Sequence, residues 1–308
     1  MALAYLLARA SDTVADSAGV PASERLALLE DLGRAIKADS SSGKEIPEGL
    51  SERLGALAGH VDDPGERRLL RQGGALLDLL DRLIPADRAD VSWVLAIIFS
   101  GQRLDLERFE AASAERPVAL ANAAELNDYT YRVAGCVGVF WTRICFRHLA
   151  GYAAMDEPEM IRLGSGFGNG LQLVNILRDA PRDLAEGRCY LPAEELAGEG
   201  SAPELLKSAP ERARPVVARW IGCARQHLED GRAYIEALRP WRLRLACFLP
   251  WAIGNETLAM LERISPLETP RRLKIPRRRV RQLLLWGCLV AFSNRFLSRF
   301  ISTIKKRD

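Results

Sequence analysis

Apolar residues recur at helical spacing along nearly the whole chain, and no run alternates as a half-buried strand requires. The period predicts helices over residues 2–16, 23–37, 49–59, 65–83, 88–101, 105–113, 117–125, 127–151, 156–185, 202–206, 209–237, 241–262 and 277–303. Clusters of Gly, Pro and Ser interrupt the pattern at 40–43, 62–65, 187–192, 198–203 and 265–276. None of these linkers is long or charged enough to demand a second domain. The expectation is an all-α chain forming a single domain over residues 1–308.

One stretch departs from simple amphipathicity. In LQLVNILRDAPRDLAEGRCYLP, Gln172, Asn175, Asp179 and Asp183 fall within roughly 80° of one another on a helix. Leu171, Val174 and Leu177 occupy other faces, where they can pack into a core. Burying two amides and two carboxylates without partners is costly. On a plain surface the stripe gains nothing, because Asp179 and Asp183 are like charges one turn apart. A solvated helix face beside a loop accounts for the pattern as well as a bound cation does. If there is a cation, a hard divalent ion completed by substrate phosphates fits the donors, and magnesium is the usual one.

The N-terminal helix adds a second such stripe. Tyr5, Arg9, Asp12 and Asp16 in YLLARASDTVAD share a face, with Leu6, Leu7, Ala10 and Val14 as apolar neighbours. Two helices thus carry Asp-x-x-x-Asp with an arginine close by, Arg9 on one and Arg178 on the other. One such pair is common by chance. Two of them beside apolar runs predict facing metal-binding walls around a shared cavity, with a diphosphate as ligand.

These segments, with SGQRLDLERF, YTYRVAGCVG and LACFLPWAIGNETLAML, stand in an order that resembles the squalene/phytoene synthase family, the head-to-head prenyl-diphosphate synthases. The squalene synthase branch is the nearest. The most specific run is Gln-x-x-Asn-Ile-x-Arg-Asp with GRCYLP after it. The resemblance implies the isoprenoid-synthase fold, with helices around a deep central cavity. It implies Mg2+ at Asp12, Asp16, Asp179 and Asp183, and diphosphate contacts from Arg9, Gln172, Asn175, Arg178 and Arg188. Tyr129 matches a proton-transfer group, on the helix face of Arg132, while Arg9 and Arg178 assist departure of the diphosphate. Two molecules of farnesyl diphosphate would condense through presqualene diphosphate to squalene, with NADPH held near Arg178, Lys274 and Arg277. Within the family the alternative is a phytoene, dehydrosqualene or presqualene diphosphate synthase that performs no reduction. Outside catalysis it is an inactive, membrane-associated member. Sterol, hopanoid or carotenoid synthesis is the implied setting.

Several features depart from the family pattern. Ala15 and Arg182 stand where squalene synthases often carry an acid. Pro181 inside the second motif removes a helix hydrogen bond, at about 3 kcal/mol in a helix interior, and predicts a kink. The Lys-x-Arg of the nicotinamide site is represented by Lys274 and Pro276, with Arg277 one place late. The chain starts almost on the first motif, where the family has a further helix, which predicts a site open to water and prenyl alcohols in place of hydrocarbon.

Other residues admit two readings. Ala134, Gly135 and Gly138 suit close helix packing, and in the family this helix also borders the prenyl channel. Ile98 and Phe99 read as core or cavity wall, Gln102 as a side chain reaching substrate, and Asp105 as a helix cap or a ligand contact.

Composition narrows the setting. A hydrophobic fraction of 48% over 308 residues supports a substantial core. The 43 basic and 40 acidic residues nearly balance. Six cysteines lie singly in apolar stretches without Cys-x-x-Cys, which argues against zinc or a disulfide framework and for reduced core thiols in a cytoplasmic setting; a monomer is expected. His60, His148 and His227 are far apart and read as structural. No secretory signal is expected, and no apolar run reaches the ~18 residues of a spanning helix. Arg271, Arg272, Lys274, Arg277, Arg278, Arg279 and Arg281 precede LLLWGCLVAF, and Lys305, Lys306 and Arg307 follow. A solvated helix end fits this tail. So does peripheral attachment to anionic lipid at the inner membrane face, at about 1 kcal/mol per basic residue. Nucleic acid does not, because the basic residues flank an apolar helix rather than aromatic stacking positions.

Overall fold

Helical period in the sequence becomes helix in the computed structural model, which describes residues 1–17, 19–38, 47–268 and 273–305. The expected break at 40–43, part of the break at 265–276, and the residues Arg271, Arg272, Lys306 and Arg307 lie outside the described residues. The chain forms two compact units, Met1–Glu110 and Ala111–Asp308.

The first unit contains α1 (Ala2–Asp16), α2 (Ala22–Lys37), α3 (Leu50–Leu57), α4 (Pro64–Arg71), α5 (Gly73–Asp81) and α6 (Pro85–Phe109). The apolar faces of α1 and α2 pack on α6, burying Leu7, Val14, Leu28, Leu32, Ile36 and Leu95. Two boundaries differ from expectation. The helix over 65–83 is interrupted at Gln72, just before Gly73 and Gly74, whose low helix propensity ends the first run. Residues 88–101 and 105–113 instead belong to one 25-residue helix, α6, which ends at Phe109. A lone helix glycine such as Gly101 costs only about 1 kcal/mol, less than the burial of this helix returns.

The second unit is built on α9 (Glu157–Ala185), a 29-residue helix. Asp156 caps it by accepting the Glu159 N–H, and Pro158 occupies its first turn. α7 (Ala123–Thr130), a π-helical turn (Tyr131–Gly135) and α8 (Cys136–His148) form a continuous helical segment packed on α9. α11 (Arg214–Ala237) and α12 (Trp241–Arg263) also pack on it. α13 (Arg277–Phe292) lies on α12, and α14 (Asn294–Lys305) places Phe300 against Phe248 and Trp251 of α12. The expected helix at 277–303 splits at Ser293, whose extended backbone interrupts it. The short α10 (Ala193–Gly198) has no counterpart in the expected helices. α9 continues past Pro181 to Ala185, with the proline near its end, where few later hydrogen bonds depend on it.

The expected helix at 117–125 begins only at Ala123, capped by Asn122. Val118–Ala119 is instead strand β1, parallel to β2 (Arg188–Cys189). The partner lies about seventy residues away in sequence, and a two-residue ladder has no room for an alternating pattern that announces it. Among the described residues, no helix is long and apolar enough to cross a membrane.

All six cysteines are free. Burial pushes the Cys145 thiol up to about 11 and those of Cys136, Cys189 and Cys247 up to about 12, which makes them poor nucleophiles. Cys288 departs from the expected core placement: it is exposed on α13.

The small residues at 134–138 allow close helix packing. A Cβ on Gly138 would lie 2.0 Å from the Gly164 carbonyl oxygen, so α8 and α9 meet backbone to backbone. Ala134 and Gly138 also line a cavity of about 340 Å³. Gly138→Ala should therefore force the helices apart, at about 2–3 kcal/mol by the usual cost of overpacking. Urea unfolding reads this as a lower midpoint at unchanged slope; an unchanged midpoint would mean the contact is dispensable.

Candidate active site

The first motif lies on α1 of the first unit. Arg9 and Asp12 are half-buried, while Tyr5 and Asp16 are exposed. The Asp12 carboxylate accepts a hydrogen bond from Gln102 Nε2 of α6 at 2.5 Å. Burial raises the Asp12 pKa; the Gln102 bond opposes the rise and the Asp16 charge adds to it. Gln102 Oε1 is buried without a partner. Arg9 is ion-paired with Glu66 of α4. The sequence reading aimed Gln102 at substrate and did not foresee Glu66, since neither contact has a local signature.

The second motif occupies the last turns of α9. Arg178 forks onto its neighbour Asp179, with Nε and a terminal nitrogen donating at 2.9 and 2.7 Å. Asp183 is buried, and that burial pushes its carboxyl up to about 6, against the pull of Arg188 and Arg182. Arg188 stands 3.7 Å from Asp183 and donates to Glu186 at 2.5 Å. Asn175 and Gln172 are half-buried, one and two turns before Asp179. Arg182 is exposed and pairs with Glu186 at 3.4 Å.

Gly187 turns the chain from α9 into β2. Its φ is +86°, and a Cβ there would fall 2.4 Å from the Ser113 carbonyl oxygen, so only glycine serves. The turn carries Arg188 back toward Asp183 and sets Tyr190 beside Tyr129. The two rings stack with centroids 4.9 Å apart and planes at 25°, and the Tyr129 hydroxyl donates to that of Tyr190 at 3.5 Å. Arg132, expected to share a face with Tyr129, donates to Asp128 at 2.8 Å. Tyr190 is a site residue the sequence reading passed over, although it sits inside the specific GRCYLP run.

The cavity in this unit is apolar. Val133, Val137, Trp141, Phe167 and Leu171 contribute most of its wall, with Gly164 and Gly168 giving it depth. Along α9, Gly164, Gly168, Leu171, Asn175 and Asp179 share a face within roughly 80°. That face is apolar cavity wall in its first half and amide and carboxylate in its second. Phe167 and Asp179 are separated by about 18 Å of helix. One helix face therefore runs from apolar cavity wall into a stripe of amide and carboxylate side chains.

In each motif the donors are oxygens, the chemistry a magnesium ion takes. In the first unit the Asp12 carboxyl is held above its ordinary range and Gln102 Oε1 is buried without a partner; in the second, burial pushes the Asp183 carboxyl up. Among the described residues no three Asp, Glu, His or Cys side chains converge to cage a metal.

The family profile for squalene/phytoene synthases matches residues 1–279. The chain belongs to the squalene/phytoene synthase family. This family comprises head-to-head prenyl-diphosphate condensing enzymes, which typically use Mg2+ with diphosphate substrates. A bifunctional lycopene cyclase/phytoene synthase of Arthroderma gypseum is 33% identical over 44% of the chain and 23% of the relative. A 15-cis-phytoene synthase of Synechocystis sp. is 31% identical over 50% of the chain and 48% of the relative. A squalene synthase of Schizosaccharomyces pombe is 23% identical over 91% of the chain and 57% of the relative. The chain thus spans less than two thirds of each of these relatives. TcSQS in complex with the ligand E5700 superposes with a TM-score of 0.71 at 18% identity, over 99% of this chain and 82% of that one. A dehydrosqualene synthase in complex with ligand gives 0.60 at 20%, over 92% and 83%. The all-α isoprenoid-synthase fold of the family is present here.

Asp183 supplies a pH-dependent test within this family site. It titrates at about 6 folded against its usual 3.8, so the folded chain holds the proton more tightly than the unfolded one. Stability therefore falls as pH rises from about 4 to about 6, then levels off. The two-unit difference corresponds to at most about 3 kcal/mol, reduced in practice because an amide forgoes the attraction of Arg188. Asp183→Asn should melt a few degrees above the parent at neutral pH in chelator, and the two should converge toward pH 4. A substituted chain less stable than the parent at neutral pH would show that Arg188 outweighs burial.

Proposed function

We propose that this chain catalyses the head-to-head condensation of two prenyl diphosphates, farnesyl diphosphate being the expected substrate. The carrying observation is the face of α9, apolar wall from Gly164 to Leu171 and a carboxylate stripe from Asn175 to Asp183. Asp12, Asp16, Asp179 and Asp183 would hold Mg2+, which when bound neutralises the leaving diphosphate. Arg9, Arg178 and Arg188, now paired with Glu66, Asp179 and Glu186, would exchange those carboxylates for phosphate oxygens as bidentate donors. The apolar cavity would keep water from the allylic cation. Tyr129, with Tyr190 stacked on it, would move the proton lost from the cyclopropane-forming carbon toward the diphosphate. Both compact units would serve the one reaction as a single synthase domain.

The nicotinamide fit is poor. Lys274 and Arg277 are exposed, and Pro276 takes the place of the family's arginine. An unreduced product of the phytoene or dehydrosqualene type is therefore favoured over squalene. The phytoene synthase relatives at 31% and 33% identity support the same choice.

Incubation with farnesyl diphosphate and magnesium, with and without NADPH, followed by identification of the hydrocarbon, tests this. An unreduced condensation product in both arms is expected, and squalene appearing only with NADPH would restore reduction. Asp12→Asn and Asp179→Asn should each abolish diphosphate release while circular dichroism stays helical. Near-normal turnover in both would remove the metal reading. Tyr129→Phe keeps the stacking and deletes one hydroxyl; kcat should fall on the order of 10²-fold with KM little changed. A change in KM alone would assign Tyr129 to packing.

A further inference from the structure

Arg9 of the first motif is held by a residue of another helix in the same unit. Its guanidinium is ion-paired with Glu66 of α4, which packs against α1, and the two side chains are 43% and 25% exposed. Glu66 follows Pro64 and Gly65 in the first turn of α4, and Asp63 caps that helix by accepting the Glu66 N–H at 2.9 Å. Asp63 and Glu66 have the spacing of a capping box, in which the later residue turns its carboxylate back to the amide of the cap. Here the carboxylate reaches across to α1 instead. Arg67 staples the segment before α4, its guanidinium donating to the Val61 and Asp62 carbonyls, both at 3.1 Å. Glu66 is therefore held at a fixed place beside the motif.

Such a pair is a weak source of stability, because screening and side-chain entropy offset most of the attraction between partly exposed charges. Its electrostatic setting is what sets it apart. The charges of Arg9, Asp12 and Glu66 act on one another. Together with Asp16 they make one positive and three negative charges, a net of −2. Glu66 lies in the first turn of α4, where the helix dipole favours a negative charge. With Glu66 neutral, the group would carry only −1 and the Arg9 guanidinium would have no carboxylate fixed on it from α4.

We propose that Glu66 is a positioning residue that makes capture of a diphosphate at the first motif conditional on the metal. It acts through Arg9. While Glu66 holds Arg9, the cation that would grip phosphate oxygens is neutralised, and Asp12 and Asp16 repel an incoming anion. Once a divalent cation occupies the two aspartates, the excess of −2 is cancelled and Arg9 exchanges one carboxylate for a more densely charged anion. Glu66 thereby keeps free anions off the motif until the metal is in place. The inference rests on the condensation reading above, which assigns Arg9 to the diphosphate.

The test is calorimetric titration of the full chain with inorganic diphosphate, once in chelator and once in excess magnesium. The parent should bind weakly in chelator and far more tightly with magnesium. Glu66→Gln keeps the shape and a hydrogen-bonding oxygen and deletes only the charge. Its binding in chelator should tighten about fivefold, the scale of one such pair, with a smaller change in magnesium. Glu66→Asp keeps the charge and should behave as the parent. Binding by Glu66→Gln that is unchanged or weaker in chelator overturns the proposal. So does equal tightening by Glu66→Asp, which would make the contact one of shape, and so does tightening that survives in an Arg9→Gln background. A parent that binds no diphosphate even with magnesium overturns the condensation reading as well. A parent that binds it, with a Glu66→Gln variant that does not respond, overturns this inference alone.

Discussion

The second unit depends on the burial of α9, a helix that must serve as core and as carrier of carboxylates at once. It meets α8 so closely that the Gly138 and Gly164 backbones touch, and it packs on α11 and α12. That contact leaves little freedom for α9 to slide or rotate, because a shift drives backbone into backbone at the interior's packing density. The position of Asp179 and Asp183 therefore follows from the glycines several turns earlier. The apolar cavity lies between the same elements, so the packing that fixes the carboxylates also shapes the cavity.

This burial has an electrostatic consequence. Asp12 and Asp183 lose hydration without gaining full compensation, and both carboxyls are held above their ordinary range. The partners they and their neighbours have, Gln102, Arg178 and Arg188, are each weaker than a divalent ion would be. Both carboxyls therefore hold a proton more tightly than a solvated aspartate does. Arg9, Arg178 and Arg188 are each paired with a carboxylate, Glu66, Asp179 and Glu186, which keeps them near the motifs.

Much of this was legible in the residues. Period alone determined the all-α class, and α1, α2 and α9 appear at or within a residue of their expected spans, because each has an apolar stripe and α9 has Asp156 and Pro158 to mark its start. The two Asp-x-x-x-Asp faces follow from helix geometry, and the order of the motifs led to the family. The short strands could not be read this way, because β1 and β2 stabilise each other across a long stretch of chain and neither has a pattern of its own.

What only the tertiary structure decided is which partner each charged or exposed side chain meets. Glu66 on Arg9, Gln102 on Asp12 and Tyr190 beside Tyr129 are meetings of elements distant in sequence, set by packing and by the turn at Gly187. The same holds for α13. From sequence this stretch read as a solvated helix end or a lipid-facing tail, and in the structure α12 and α14 cover only one side of it and leave four large apolar side chains outside. Spacing along one chain fixes which residues share a helix face. It carries no information about which face the rest of the molecule will cover, because that depends on the summed burial of all the helices together.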